Sequence, residues 1–188
     1  GTTEYSTVGT FANTGTISLN AGLFRVGGNT TLTNSGNFTH GGGSFEFAVS
    51  SGSFNHNTGS VISGSGNFSH TSGTLNLNID QIFPSTLIFS VGPSSSISGA
   101  GNLTINNDFT MQGTIEGSGT LTINGNTTWT GGVLGRVFTN QSSNTITLTT
   151  TNTKTLRAVL TNNGTMDWQD GTLNSSVATQ LINNQTLN

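Results

Sequence analysis

The chain has 188 residues, a net charge of −3, 6% charged residues and an apolar fraction of 30%. With 4 Lys plus Arg it lacks the clustered cations that nucleic acid or an anionic membrane surface requires, and no run approaches the roughly 20 apolar residues of a membrane span. Zero Cys excludes disulfides and thiolate metal sites.

Gly, Ser, Thr and Asn make up more than half of the chain, yet there are only 2 Pro and the apolar residues are evenly spaced. That is the signature of an ordered β protein, not of a charge-rich disordered one. One phrase recurs: a turn residue, a small polar residue, an apolar residue, a small polar residue and often a second apolar one. It reads Gly15-Thr16-Ile17-Ser18-Leu19, then Gly43-Ser44-Phe45-Glu46-Phe47 and Gly73-Thr74-Leu75-Asn76-Leu77. It returns as Gly101-Asn102-Leu103-Thr104-Ile105, Gly119-Thr120-Leu121-Thr122-Ile123 and Gly164-Thr165-Met166-Asp167-Trp168.

In the first third the phrases start near Gly15, Gly22, Gly28, Gly36, Gly43, Gly52, Gly59, Gly66 and Gly73. A step of about seven residues fits a short strand and a tight turn. Asn13-Thr14-Gly15, Asn34-Ser35-Gly36 and Asn57-Thr58-Gly59 mark a longer period of about three steps. Three strands per period, with an Asn turn in each, predict the coils of a parallel β-solenoid. Asn tolerates the left-handed turn conformation, and its amide can stack on the same Asn one coil away.

The stretch 78–96 departs from this pattern, with Pro84, Pro93 and the apolar residues Ile79, Ile82, Phe83, Leu87, Ile88, Phe89 and Val91. An enlarged coil that fills or covers one corner of the core is expected there. Further on, Ile97-Ser98-Gly99-Ala100-Gly101-Asn102-Leu103 is matched, at a shorter period, by Ile115-Glu116-Gly117-Ser118-Gly119-Thr120-Leu121. Near the other end Leu160-Thr161-Asn162-Asn163-Gly164-Thr165 is echoed, at the longer period, by Leu181-Ile182-Asn183-Asn184-Gln185-Thr186. Eight or nine coils of roughly 18–24 residues, rising ~4.8 Å each, give a rod about 40 Å long.

Alternation assigns faces. Phe24 and Val26 point in with Arg25 out; Phe45 and Phe47 point in with Glu46 out; Ile146 and Leu148 point in between outward threonines. Most charges fall on outward slots. Trp129 and Trp168 occupy apolar slots and read as core.

The acids Glu4, Glu46, Asp80, Asp108, Glu116, Asp167 and Asp170 are scattered along the chain. Glycoside hydrolysis needs two carboxyls facing each other across a groove, and only Asp167 and Asp170 are close in sequence, as solvated loop charges. His40 and His70 occupy a slot that elsewhere holds apolar residues, so these two and His56 read as inward or corner residues and not as metal ligands. Thr120/Thr122, Thr145/Thr147 and Thr153/Thr155 form local Thr-x-Thr pairs. The corresponding slots elsewhere hold Asn37/Thr39, Ser44/Glu46, Thr165/Asp167 and Thr172/Asn174, which argues against a continuous ice-binding array. No residue is assigned a catalytic, cofactor or metal role. Sequons at Asn29, Asn37, Asn67, Asn102 and Asn163 follow from the composition.

The run Gly119-Thr-Leu-Thr-Ile-Asn-Gly-Asn-Thr-Thr-Trp-Thr-Gly-Gly132 resembles the passenger-associated repeats of bacterial autotransporters. Thr153-Lys-Thr-Leu-Arg-Ala-Val-Leu-Thr-Asn-Asn-Gly-Thr-Met-Asp-Trp-Gln-Asp-Gly-Thr-Leu-Asn174 resembles the repeats of large bacterial surface proteins. The resemblance implies a right-handed, three-faced parallel β-helix on a secreted or cell-surface protein, serving as adhesin, stalk or matrix component. The expected whole is an all-β single segment over 1–188, non-enzymatic, with no cofactor. Its expected partners are its own kind, through end-to-end stacking or adjacent repeats, and surface glycans or other cells. The alternatives are a glycan- or ice-binding face and a polysaccharide-degrading β-helix enzyme.

Overall fold

The computed structural model describes residues 1–176 and 179–188. The described residues form 21 strands and no helix. Their strand pairings are all parallel, and the strands stack as a β-solenoid of about 9 turns. One sheet runs the whole length, from Thr2–Asn13 to Leu173–Ser175. The second holds six strands, Gln81–Phe83 to Gln180–Asn183, and the third five, Phe109–Met111 to Thr186–Leu187. In the N-terminal half the pairing continues around the corners, so Asn37–His56 counts as one strand of 20 residues. In the C-terminal half Gly- and Asn-rich turns break each coil into three short strands, such as Leu121–Ile123, Thr127–Trp129 and Gly132–Leu134.

The sequence period is the coil. Thr2 lies beside Leu23 at one end of the solenoid, and Leu103 beside Leu121 further along, a shorter step. The step is shortest from Leu121 to Phe138 and longest from Asn37 to Val61. The enlarged coil expected over 78–96 is not there. Gly66 lies beside Leu87 and Gln81 beside Leu103, steps no longer than those of the coils before them. Phe83, Leu87, Phe89 and Val91 are ordinary core residues, while Ile82 and Ile88 occupy outward slots and are 58% exposed.

Inward slots form columns. Phe24, Phe45, Phe68 and Phe89 follow one another in register, and with Phe11 from the neighbouring face and Phe109 they make an aromatic spine with successive ring centroids 4.9–6.0 Å apart. Phe83 stacks on Phe89 at 4.1 Å. Trp129 continues the core, its Nε1 donating to Gly131 O at 2.9 Å. Burying each such ring stabilises by roughly 1.5–3 kcal/mol. Trp168, expected in the core, is 39% exposed. Leu148 lies beside it in the preceding coil, and the Trp168 Nε1 donates to Gly171 O at 3.1 Å.

The Asn ladders exist. Asn13 Nδ2 donates to Asn34 Oδ1 at 2.7 Å, Asn140 to Asn162 at 2.7 Å, and Asn162 to Asn183 at 2.7 Å. In the buried ladders the same Oδ1 also accepts the N–H two residues on, as Asn162 does from Gly164 at 3.3 Å. One member expected from sequence is misplaced: His56, not Asn57, lies beside Asn34. Asn57 is shifted outward and pairs with Asn78 at 2.7 Å, which leaves the buried Asn34 Nδ2 without a partner. Asn162→Ala orphans the Gly164 N–H and removes the shortest acceptor of the Asn140 amide, which keeps Asn144 O and Thr165 O, and should cost about 1–2 kcal/mol. Urea unfolding measures it; a loss below about 0.5 kcal/mol would show that the ladder contributes nothing net.

Candidate functional site

The outward slots are the surface on which function must act, and the register sorts them by face. On the second sheet Thr104, Thr122, Thr139 and Thr161 follow one another in adjacent coils, with Ile82 and Ile182 at the two ends. On the third sheet Thr110, Thr128 and Thr147 do the same, ending at Asp167. The slots compared in the sequence as one set belong to three faces: Asn37/Thr39 share the strand edge of Thr16–Leu19, Thr165/Asp167 the third sheet, and Asn174 the first. Mixing faces hid the threonine columns. The three Thr-x-Thr pairs themselves lie on three different sheets.

Every acid other than Glu4 is engaged locally. Asp80 Oδ1 accepts the Asn102 N–H at 2.8 Å, and Asn102 Oδ1 in turn accepts the Thr120 N–H at 2.9 Å. Asp108, Asn126 and Thr145 repeat the device at another corner, at 2.8 and 2.9 Å. These carboxylates secure the start of a strand in the next coil. Glu4, Arg25 and Glu46 stack in one outward column, with Arg25 Nε 3.4 Å from Glu46 Oε2. Glu116 Oε1 accepts Arg157 Nη1 at 2.6 Å across two coils, over Gly135, which has no side chain to block the path. Asp167 holds Gln169 at 2.8 Å and Asp170 holds the Gly171 N–H at 2.6 Å. Among the described residues no three His, Asp or Glu side chains converge.

All three histidines are buried. His40 and His70, which share a sequence slot, sit on different faces: His40 beside Leu19, His70 between Phe47 and Val91. His70 Nε2 lies 2.9 Å from Ser96 O, and His56 Nδ1 lies 2.8 Å from Ser60 Oγ. Burial pushes His56 and His70 down to about 4, the carbonyl contact offsetting part of the effect at His70, and lowers His40 as well.

Sequence reasoning missed two buried cations. Arg136 takes an inward slot at a corner where Gly117 and Gly99 stand in the two preceding coils. Its guanidinium runs along the shaft those glycines leave. Nε donates to Glu116 O at 2.8 Å, Nη1 to Gly101 O at 2.6 Å, and Nη2 to Ser98 O and Gly99 O at 3.1 and 3.2 Å. Lys154 also points inward, and its Nζ donates to Thr150 O, Asn152 O and Asp170 O at 2.8, 3.0 and 3.2 Å. Burial lowers both cations from their ordinary values, the Asp170 charge opposing this at Lys154. The turn that wraps Lys154 holds Thr150 at φ 68°, a left-handed conformation costly for a β-branched residue. The only sequence signal for Arg136 was the pair of glycines one and two coils before it.

Beside the Lys154 turn lies a notch of about 490 Å³, lined by Pro93, Gln112, Thr130, Gly131, Thr150 and Asn152 and free of charged side chains. Its hydroxyl and amide groups can hydrogen-bond a neutral ligand, but they supply no acid or base. The architecture is that of a parallel β-solenoid. Compared with protein-family models, curated proteins and solved structures, the chain matches none.

Proposed function

We propose that the chain is a non-enzymatic structural and adhesive solenoid of the bacterial cell surface or extracellular space. It is a stiff spacer that displays small polar side chains and joins its own kind, or adjacent repeats, through its ends. One observation carries this reading: inward slots are mostly apolar coil after coil, with Arg136 and Lys154 tied to backbone carbonyls, while the acids other than Glu4 are each tied to a separate strand start or neighbour. The setting rests on the likeness of 119–132 and 153–174 to surface-protein repeats. Beads coated with the chain should bind cells or matrix glycans without releasing sugar products. Polysaccharide turnover that disappears in Asp108→Asn or Asp167→Asn would overturn the reading.

A second reading, a glycan- or ice-binding face, is favoured by the column Thr104, Thr122, Thr139 and Thr161. It requires Thr122→Tyr and Thr139→Tyr to abolish binding to sugar arrays or to ice while leaving the urea midpoint unchanged.

A further inference from the structure

The corner between the third and first sheets changes size along the solenoid. Phe109–Met111 runs into Thr114–Ile115 across Gln112-Gly113, and Thr127–Trp129 into Gly132–Leu134 across Thr130-Gly131. The next coil spends 149–153 on the same corner, between Thr145–Leu148 and Lys154–Leu156. In the coil before them Pro93 and Ser94 stand exposed ahead of Ser96, which lies beside Thr114. Short corners between longer ones leave a saddle, and this is the notch of about 490 Å³. That is within the roughly 300–1,000 Å³ of small-molecule sites. The coils that wall it are three steps apart, about 14 Å.

One wall is held in shape from beneath. Lys154 takes an inward slot beside Gly132 and Leu173, and its Nζ donates to Thr150 O and Asn152 O. On the notch side Thr150 Oγ1 and Asn152 Nδ2 both donate to Thr130 O, at 2.6 and 3.3 Å. These bonds keep Thr150 in its left-handed conformation. A corner needs neither a buried cation nor a strained β-branched residue, since the one through Thr130-Gly131 turns without them. Strain held by its surroundings clusters at ligand clamps and other functional sites. A wall fixed in advance also leaves a ligand less to order.

The floor is open at a position where the backbone does not demand it. Gly113 and Gly132 are enforced: a Cβ would run into Gly92 O and Ser95 O at the first and into Gly113 O at the second, where φ is 83°. Gly131 differs. Its φ is not left-handed, and a Cβ there would meet Asn152 Cβ at 3.4 Å and Thr153 O at 3.9 Å, which are ordinary contacts. The fold would accept a side chain at 131, and that side chain would fill the foot of the notch.

The lining selects the ligand. It carries no charged side chain, so it favours neither an anion nor a cation. Gln112 and Asn152 present amides that donate and accept, and Thr150 presents a hydroxyl oxygen. The Pro93 ring adds an apolar plate. A pyranose has the matching chemistry: hydroxyls that both donate and accept, set around a ring with an apolar face.

We propose that the notch binds a neutral oligosaccharide, with one sugar ring seated over Gly131 between Pro93 and Asn152. This rests on the glycan-binding reading and moves its site from the threonine column to this corner. The test is a proton–nitrogen NMR titration with maltotriose, chitotriose and mannotriose, and with trigalacturonate as the acidic counterpart. At least one neutral sugar should shift the Gly131 N–H and the side-chain amides of Gln112 and Asn152, and trigalacturonate should bind no tighter. Gln112→Ala should weaken binding about fivefold through lost hydrogen bonds, and Gly131→Leu should abolish it. Gly131→Ala guards against a misfolded Leu variant: it should weaken binding at an equal or higher urea midpoint. Parent-like binding in Gln112→Ala and both Gly131 variants overturns the notch. Shifts centred on Thr122 and Thr139 overturn the notch and keep the glycan reading. Tighter binding of trigalacturonate overturns the neutral class, and no shift with any sugar at about 10 mM overturns site and reading together.

Discussion

Replacing Arg136 with Met should destabilise the protein by about 3–5 kcal/mol, the scale of removing one partner from a buried charged network. The guanidinium ties three successive coils together: it holds the carbonyls of Ser98, Gly99 and Gly101 in one and of Glu116 in the next, and its own backbone belongs to the third. Met can fill much of the shaft over Gly117 and Gly99 but donates nothing, so buried acceptors lose their partners at roughly 1–3 kcal/mol each. Arg136→Lys, a single point charge without the planar fork, should recover only part of the loss. The check is the urea midpoint, read with the slope to confirm cooperative unfolding. A Met variant within about 0.5 kcal/mol of the parent would show that the clamp contributes specificity and not stability.

Acidification from pH 7 to pH 4 should remove about 3 kcal/mol of stability for each of His56 and His70. Both are fully buried and their folded values lie at about 4, below the ordinary 6.5, mainly through desolvation. The sign follows from proton uptake. Between pH 6.5 and 4 the unfolded chain binds protons that the folded chain refuses, so the stability present above pH 6.5 declines as pH falls and levels off below about 4. His40 adds in the same direction. Losses of this size are a large fraction of a typical folding free energy. Stability curves for the parent and for His56→Gln/His70→Gln should diverge in slope across this window, the variant being flatter. Equal slopes would mean that these rings are protonated or solvated in the folded state.

The coil itself was readable because a solenoid uses the same local rule many times. Gly119-Thr120-Leu121-Thr122-Ile123 shows its inward and outward slots by alternation alone, and the return of Asn162 as Asn183 shows the period. What sequence could not resolve was which face a phrase belongs to, since the three faces share one grammar. His40 and His70 look equivalent along the chain and lie on different faces. The threonine column of the second sheet vanished when slots from three faces were read as one. Coil length also drifts, from the long step between Asn37 and Val61 to the short one between Leu121 and Phe138. That drift defeats counting, and so His56 took the ladder place expected of Asn57.

By itself, the sequence determined an all-β solenoid with apolar inward slots, Asn stacking at corners and a sparsely charged surface. These are properties of nearest neighbours along the chain and of a period that repeats. The tertiary structure decided the register between coils, and with it everything that depends on residues a full coil or more apart. It turned Arg136 and Lys154 inward onto carbonyls, lined up the threonines and set His40 and His70 on different faces. The physical reason is that each coil finds its partners only in the coils next to it. Loop length sets those partners, and no local pattern records how the lengths accumulate.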